Sequence, residues 1–174
     1  MNVLDQYKEK TPEEIKTLYM AKSCSAAVAM LHLTGDFNLG TVIRNANFFG
    51  FKESFYIGGS RQWDRRSAVG THNYIPLTHF KTIEEFVGNT IRQNYQLVAL
   101  ECNVSTLTVT NMFNFQWPKN SLIIVGEEGC GLPFDLLDVC DYIVEIPAFG
   151  TVRSMNVGTA SGIAMSHYRS QHML

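Results

Sequence analysis

The chain has 174 residues, 45% of them hydrophobic and 17% charged, a length that suits one domain with a single core and leaves no room for a second. Its 14 Lys and Arg against 16 Asp and Glu exclude a purely electrostatic nucleic-acid binder and a disordered polyelectrolyte, so any grip on phosphate must come from a local cluster of cations. Four cysteines without a CxxC pair, a polar N-terminus, and no apolar run near the roughly 20 residues of a membrane span predict a reduced, cytoplasmic protein with no membrane partner.

Thr11-Pro12-Glu13-Glu14 combines a capping hydroxyl, a proline at the first helical position and a glutamate three residues after the cap, which predicts a short helix ending near Lys22. Residues 1–25 therefore read as a leader and residues 26–174 as the domain. Ala26 to Leu33 is a continuous apolar run of strand length, of the kind a parallel sheet buries on both faces. Similar runs follow at Ser54 to Ile57, Leu97 to Leu100, Leu122 to Val125 and Tyr142 to Ile146. Helices are predicted between them at Leu39 to Phe49, Ile83 to Asn94, Pro133 to Val139 and Asn156 to Ser170. In the first of these four, Leu39, Val42, Ile43, Ala46 and Phe49 form the buried stripe and leave Arg44 off it. In the last, Gly158, Ser161 and Gly162 sit beside the stripe Val157, Ala160, Ala164 and Tyr168, small enough for a close helix contact. Val104 to Asn120 is compatible with a short strand or a short helix. The alternation of strand and helix predicts an α/β fold.

Three glycine-punctuated segments join a strand end to a helix start, where open α/β sheets bind ligands: Thr34 to Arg44, Val125 to Pro133 and Ile146 to Asn156. They offer backbone N–H groups, Asn, Ser, Glu and Arg. Gly35 and Gly40 do not make a GxGxxG fingerprint, and Gly126 to Gly131 lacks the Lys-Ser or Lys-Thr of a phosphate loop. The five histidines show no metal spacing, and there is no Gly-x-Ser-x-Gly elbow. No metal is expected, and acyl-enzyme chemistry is disfavoured.

Taken in order, the three segments resemble the signature motifs of the SpoU (TrmH-type) RNA ribose 2′-O-methyltransferases of the SPOUT superfamily. Asn38-Leu39-Gly40 with Arg44 and Phe49-Gly50 resembles the first motif. Ile123 to Leu132 resembles the second. Ile146-Pro147, Gly150 and Ser154-Met155-Asn156-Val157 resemble the third. The resemblance spans approximately Ala26 to Tyr168. It implies a parallel-sheet SPOUT fold with a C-terminal deep trefoil knot, a homodimer, and S-adenosylmethionine as cofactor. That cofactor is held in the family largely by backbone groups, so no acidic ribose-binding residue is needed. By motif position, Leu100, Gly126, Ile146 and Met155 are expected to line its site. Met155 stands where the family often has Leu, and Gly158 where it often has Ser.

The resemblance assigns catalysis to Arg44, with Asn38, Glu128, Ser154 and Asn156 in support. A guanidinium with a pKa above about 12 is a reluctant base, which favours positioning and oxyanion stabilisation. The plainer readings are a surface arginine for Arg44 and helix caps for Asn38, Ser154 and Asn156. Glu127 is expected to face solvent. Arg61, Arg65 and Arg66 around Trp63 suit phosphate contact and base stacking, or else form a solvated loop with the Trp packed inward. With only a leader before the first strand, RNA recognition falls to the domain itself, the leader helix and a dimer partner. tRNA is the expected substrate. The alternatives are rRNA, a non-catalytic RNA-binding or partner-docking module, and a small-molecule-binding domain with no RNA role.

Overall fold

The computed structural model describes residues 3–31, 38–59, 63–102, 104, 107–127 and 129–173. The leader forms α1 (Pro12–Lys22), opened by a complete capping box: the Thr11 hydroxyl accepts from the Glu14 N–H at 3.3 Å, and the Glu14 carboxylate accepts from the Thr11 N–H at 2.8 Å. The domain then runs β1 (Ala27–Leu31), α2 (Asn38–Phe48), β2 (Glu53–Ile57), β3 (Leu77–Phe80), α3 (Ile83–Arg92), β4 (Gln96–Leu100), β5 (Thr110–Asn111), β6 (Ser121–Val125), α4 (Phe134–Asp138), β7 (Tyr142–Glu145) and α5 (Val157–Gln171). The seven strands form one sheet in the order β3-β2-β1-β6-β4-β7-β5, and every pair is parallel.

Helices cover both faces of this sheet, which is why β1 and β6 are buried at all five positions and read as unbroken apolar runs. Alternate residues serve opposite layers. Val28 and Met30 pack with Leu39, Val42 and Ile43 of α2 and with Met165 and Tyr168 of α5. Ala27, Ala29 and Leu31 pack with Phe86 of α3 and with Leu136 and Leu137 of α4.

Two strands lie outside the five predicted strand runs, one of them within the stretch for which a short strand was one of two readings. The edge strand β3 pairs with β2 from Ser54↔Leu77 to Ile57↔Phe80, but only Phe80 of its four residues is buried, so it carries no periodic signal. The two-residue β5 closes the opposite edge against β7 within the undecided stretch. The rest of that stretch holds a short 3-10 turn at Met112–Asn114, followed by the buried Phe115 and Trp117. This segment anchors α5. The Trp117 indole N–H donates to His167 Nδ1 at 2.9 Å, the Tyr168 hydroxyl donates to the Lys119 carbonyl at 2.7 Å, and the Gln171 amide bridges the Trp117 N–H and the Phe115 carbonyl, each at 2.9 Å.

The expected close helix contact is between α5 and α2. The Asn45 side chain donates to the Gly158 carbonyl at 2.7 Å and to Ser161 Oγ at 3.3 Å. A Cβ on Gly158 would lie 2.7 Å from the Thr41 methyl, and one on Gly162 would lie 3.1 Å from the Asn45 amide. The first distance accounts for glycine rather than serine at position 158.

On its other side α2 lies equally close to the segment after β2. A Cβ on Gly40 would overlap Ser67 Oγ and stand 2.6 Å from the Ala68 backbone nitrogen. Gly40→Ala is therefore expected to lower the unfolding free energy by about 1–3 kcal/mol despite the better helix propensity of alanine, and denaturant titration of the two proteins checks this.

Candidate active site

The C-terminal edges of β4, β6 and β7 surround a cleft of about 830 Å³. One wall is the end of β4, with Leu100, Glu101 and Cys102. The second is the loop after β6, residues 126, 127 and 129–132, and the third is the segment after β7, residues 146–150 and 152–155. Open parallel sheets place ligands at this edge because strand ends and helix starts leave backbone groups free there.

The second wall is shaped by its glycines. The Gly131 N–H donates to the Glu127 carbonyl at 3.0 Å, closing a narrow turn that requires positive φ at Gly129 (+93°) and Gly131 (+66°). A side chain on Gly126 would strike the Gly131 backbone, with the Gly131 carbonyl oxygen 2.7 Å from its Cβ. Glu127 is only 6% exposed and lines the cleft, contrary to its expected solvent-facing position. The turn folds it inward by bridging residues 127 and 131. Glu101 ties this loop to β4: its Oε2 accepts from the Leu132 N–H at 2.7 Å, and its Oε1 accepts from the Cys102 N–H at 2.9 Å. The Cys102 thiol donates in turn to the Arg153 carbonyl in the third wall at 3.6 Å.

The residues expected at the cofactor site, Leu100, Gly126, Ile146 and Met155, all border this cleft, as does Ser154. Asn156 follows directly and caps α5 by accepting from the Thr159 N–H at 3.2 Å. Its amide also donates to Asn38 Oδ1 at 3.0 Å, which joins the first and third motif segments across 118 positions of sequence. Asn38 is the first residue of α2 rather than the residue before it. Arg44 is exposed on α2 and is not among the cleft residues. It lies instead along the helix edge that carries Thr41, Asn45 and Phe48. With Phe113, Gly158 and Gly162, those three residues line a second, shallower groove between α2 and α5. Phe48 is 82% exposed there and Phe113 56%.

Glu128 and Arg61 lie outside the described residues. Arg66 is chelated by Asp64, with Nε to Oδ1 at 3.0 Å and a 2.5 Å ion pair, and these hydrogen bonds hold the Asp64 carboxyl below the usual carboxylate range. Arg65 is exposed and has no ion pair among the described residues. Trp63 is half-buried against the core and meets His72 edge-on at 5.6 Å, the packed-inward arrangement of the two weighed for this loop. Burial, and then the Arg65 charge, hold the His72 imidazole below its ordinary pKa. Among the described residues no group of three His, Cys, Asp or Glu side chains is placed to hold a metal, and no helix is long and apolar enough to cross a membrane.

Two residues of the site were not anticipated. Asn45 sits one turn after Thr41 on the edge of α2, a position that a stripe analysis leaves to solvent. Glu101 did carry a signal, since it is the first residue past a buried strand at the ligand-binding edge of the sheet.

Residues 25–166 match the model of the SpoU rRNA Methylase family. The chain is 36% identical over 108 residues to a tRNA (guanosine(18)-2′-O)-methyltransferase of Saccharomyces cerevisiae, a match covering 61% of this chain and 7% of that protein. Its fold superposes on the TrmH/SpoU tRNA modifying enzyme of A. aeolicus with a TM-score of 0.80 at 18% identity, covering 94% of this chain and 83% of the other. It also superposes on an AdoMet-bound rRNA methyltransferase from Sinorhizobium meliloti with a TM-score of 0.76 at 23% identity, covering 90% and 60%. The chain spans less than two thirds of the length of the curated relatives it matches.

The junction of the two asparagines gives a direct test of the geometry. Asn156→Ala removes the cap of α5 and the donor to Asn38, and is expected to destabilise by about 0.5–2 kcal/mol. Asn156→Asp keeps the cap and should retain most of that stability, as read by denaturant unfolding.

Proposed function

The chain belongs to the SpoU rRNA Methylase family, and on that premise we propose that it is an S-adenosylmethionine-dependent RNA ribose 2′-O-methyltransferase whose substrate is tRNA. The observation that carries this reading is the meeting of the second and third motif segments in one cleft, with the first joined to them through the Asn38–Asn156 hydrogen bond. The tRNA substrate is supported by the name of the S. cerevisiae relative. rRNA is the second reading, supported by the name of the S. meliloti structure.

The cleft suits S-adenosylmethionine. Leu100, Leu132 and Ile146 form an apolar wall for a purine, and the tight approach of Gly126 to Gly131 brings backbone groups close to it. When bound, the cofactor supplies an electrophilic methyl carbon. Two tasks remain for the protein: to hold the ribose 2′-oxygen in line with that carbon and to stabilise the negative charge that grows on it. Arg44 performs both. Its guanidinium is a planar fork of hydrogen-bond donors with no acceptor, so it acts as a clamp rather than a base. Asn38, Glu128, Ser154 and Asn156 order the loops that present the sugar. Arg65, Arg66 and Arg61 supply phosphate contacts, with Arg65 the more available of the two described cations because Arg66 is shared with Asp64.

Arg44 stands outside its own cleft and beside the apolar groove of α2 and α5. This supports a homodimer in which a second copy covers Phe48 and Phe113 and carries an arginine toward the neighbouring cleft. A C-terminal trefoil knot fits the course of the chain: β7 lies beside β4, beyond β6, yet α5 returns across the sheet edge to pack on α2. A cytoplasmic setting agrees with four free cysteines.

Transfer of label from methyl-labelled S-adenosylmethionine to tRNA tests the reading. RNA that gains no label from protein that binds S-adenosylhomocysteine would overturn it. Arg44→Ala is expected to reduce transfer at least about 100-fold with cofactor affinity nearly unchanged. Phe48→Glu places a charge in the groove and should convert a dimer to a monomer in sedimentation experiments, with loss of transfer.

A further inference from the structure

The cleft holds a carboxylate that recognition by backbone does not use. Glu101 follows the last residue of β4 and lines the cleft beside Leu100. Its carboxylate is fixed from two sides, by the Leu132 N–H on Oε2 and the Cys102 N–H on Oε1. No cation among the described residues pairs with it. An ionised carboxylate offers about four lone-pair directions, so with these two bonds, and no others among the described residues, each oxygen keeps one acceptor site open.

We propose that Glu101 accepts the paired hydroxyls of the cofactor's ribose, an inference that rests on the S-adenosylmethionine reading above. Leu100, Leu132 and Ile146 form the apolar surface suited to a base. Glu101 is bonded to Leu100 through the chain and to Leu132 through a hydrogen bond, so its carboxylate stands at the margin of that surface. A sugar attached to a base held there lies one glycosidic bond away. A vicinal cis-diol presents two O–H donors side by side, which matches the two open acceptor sites. Dinucleotide-binding sheets use the same chemistry when an acidic residue at a strand end takes a ribose hydroxyl.

The carboxylate is also held in place before any ligand arrives. A Cβ on Gly131 would come within 2.6 Å of Glu101 Oε2, so the loop backbone closes around the carboxylate as tightly as glycine permits. Acceptors already ordered by the fold lose little side-chain freedom on binding.

Calorimetry on wild-type protein and Glu101→Gln, with S-adenosylhomocysteine and its 2′,3′-dideoxy analogue, tests the assignment. The wild type should favour the hydroxylated ligand by about tenfold to hundredfold, the range expected for hydrogen bonds to a charged acceptor. Glu101→Gln should compress that ratio while binding the dideoxy analogue nearly as well as the wild type. Glu101→Asp, which keeps the charge and shortens the reach, provides the same comparison if the amide variant does not fold. Equal weakening of both ligands would reduce Glu101 to a loop tether and overturn the proposal, as would a wild-type ratio near one. 5′-Methylthioadenosine keeps the diol and lacks the amino-acid ammonium, so its affinity should show the same dependence on Glu101; loss of that dependence would assign the carboxylate to the ammonium instead. Binding of neither ligand by the wild type would sink the cofactor reading itself, whereas tight binding with an unaltered ratio would sink the ribose assignment alone.

Discussion

The arrangement of the cleft depends on how closely α5 can approach α2. Gly158 and Gly162 remove the side chains that would hold the two helices apart, and Asn45 reaches across the gap to the Gly158 carbonyl and Ser161. At the other end of α5, Trp117, Phe115 and Lys119 fix His167, Tyr168 and Gln171. With both ends set, the segment after β7 has to cross the C-terminal edge of the sheet to reach Asn156. That crossing puts Ser154 and Met155 opposite Gly126. The third wall of the cleft therefore follows from a helix contact made on the far side of the loop it positions.

The second wall obeys a different rule. Its shape comes from steric exclusion, since neither Gly126 nor Gly131 has space for a methyl group and Gly131 also adopts a left-handed conformation. Glu101 and Glu127 line the same cleft, which makes it a poor receptacle for a run of phosphates and a suitable one for a ligand that brings hydroxyls and positive charge. The Gly131 N–H is taken up within the loop and the Leu132 N–H by Glu101, two bonds that hold the turn against β4.

Much of the architecture was legible because burial on both sheet faces leaves a simple mark: β1, β4 and β6 are runs of Ala, Val, Leu, Ile and Met with no polar break after their first residue. β3 was not, because an edge strand with a half-exposed Leu77 and an exposed Thr78 lacks that mark. α3 stops at Arg92, two residues before the predicted end, with Asn94 in a left-handed conformation that halts the chain. The candidate site was legible through its glycine-rich loops, whose spacing resembled known motifs. The inward turn of Glu127 was not, because it depends on a backbone bridge to Gly131 that no local pattern announces. Nor was the place of Arg44. The helical stripe gave its direction away from the core, but whether a cleft lies in that direction is decided by parts of the fold distant in sequence.

The order of strands in the sheet also bears on how the protein is made. Among the described residues no strand pairs with its neighbour through a tight hairpin, and β1 finds one of its two partners in β6, more than ninety positions later. β4 pairs with β6 and β7, both of which follow it. A nascent chain can therefore assemble β1, β2 and β3 early, but β4 must wait unpaired until two later strands emerge. Closure of such distant pairings is slow in entropic terms, and through that interval the apolar segment Leu97–Leu100 has no sheet to enter. Its exposure during synthesis leaves the half-made chain open to aggregation, a vulnerability that belongs to the topology rather than to any one residue.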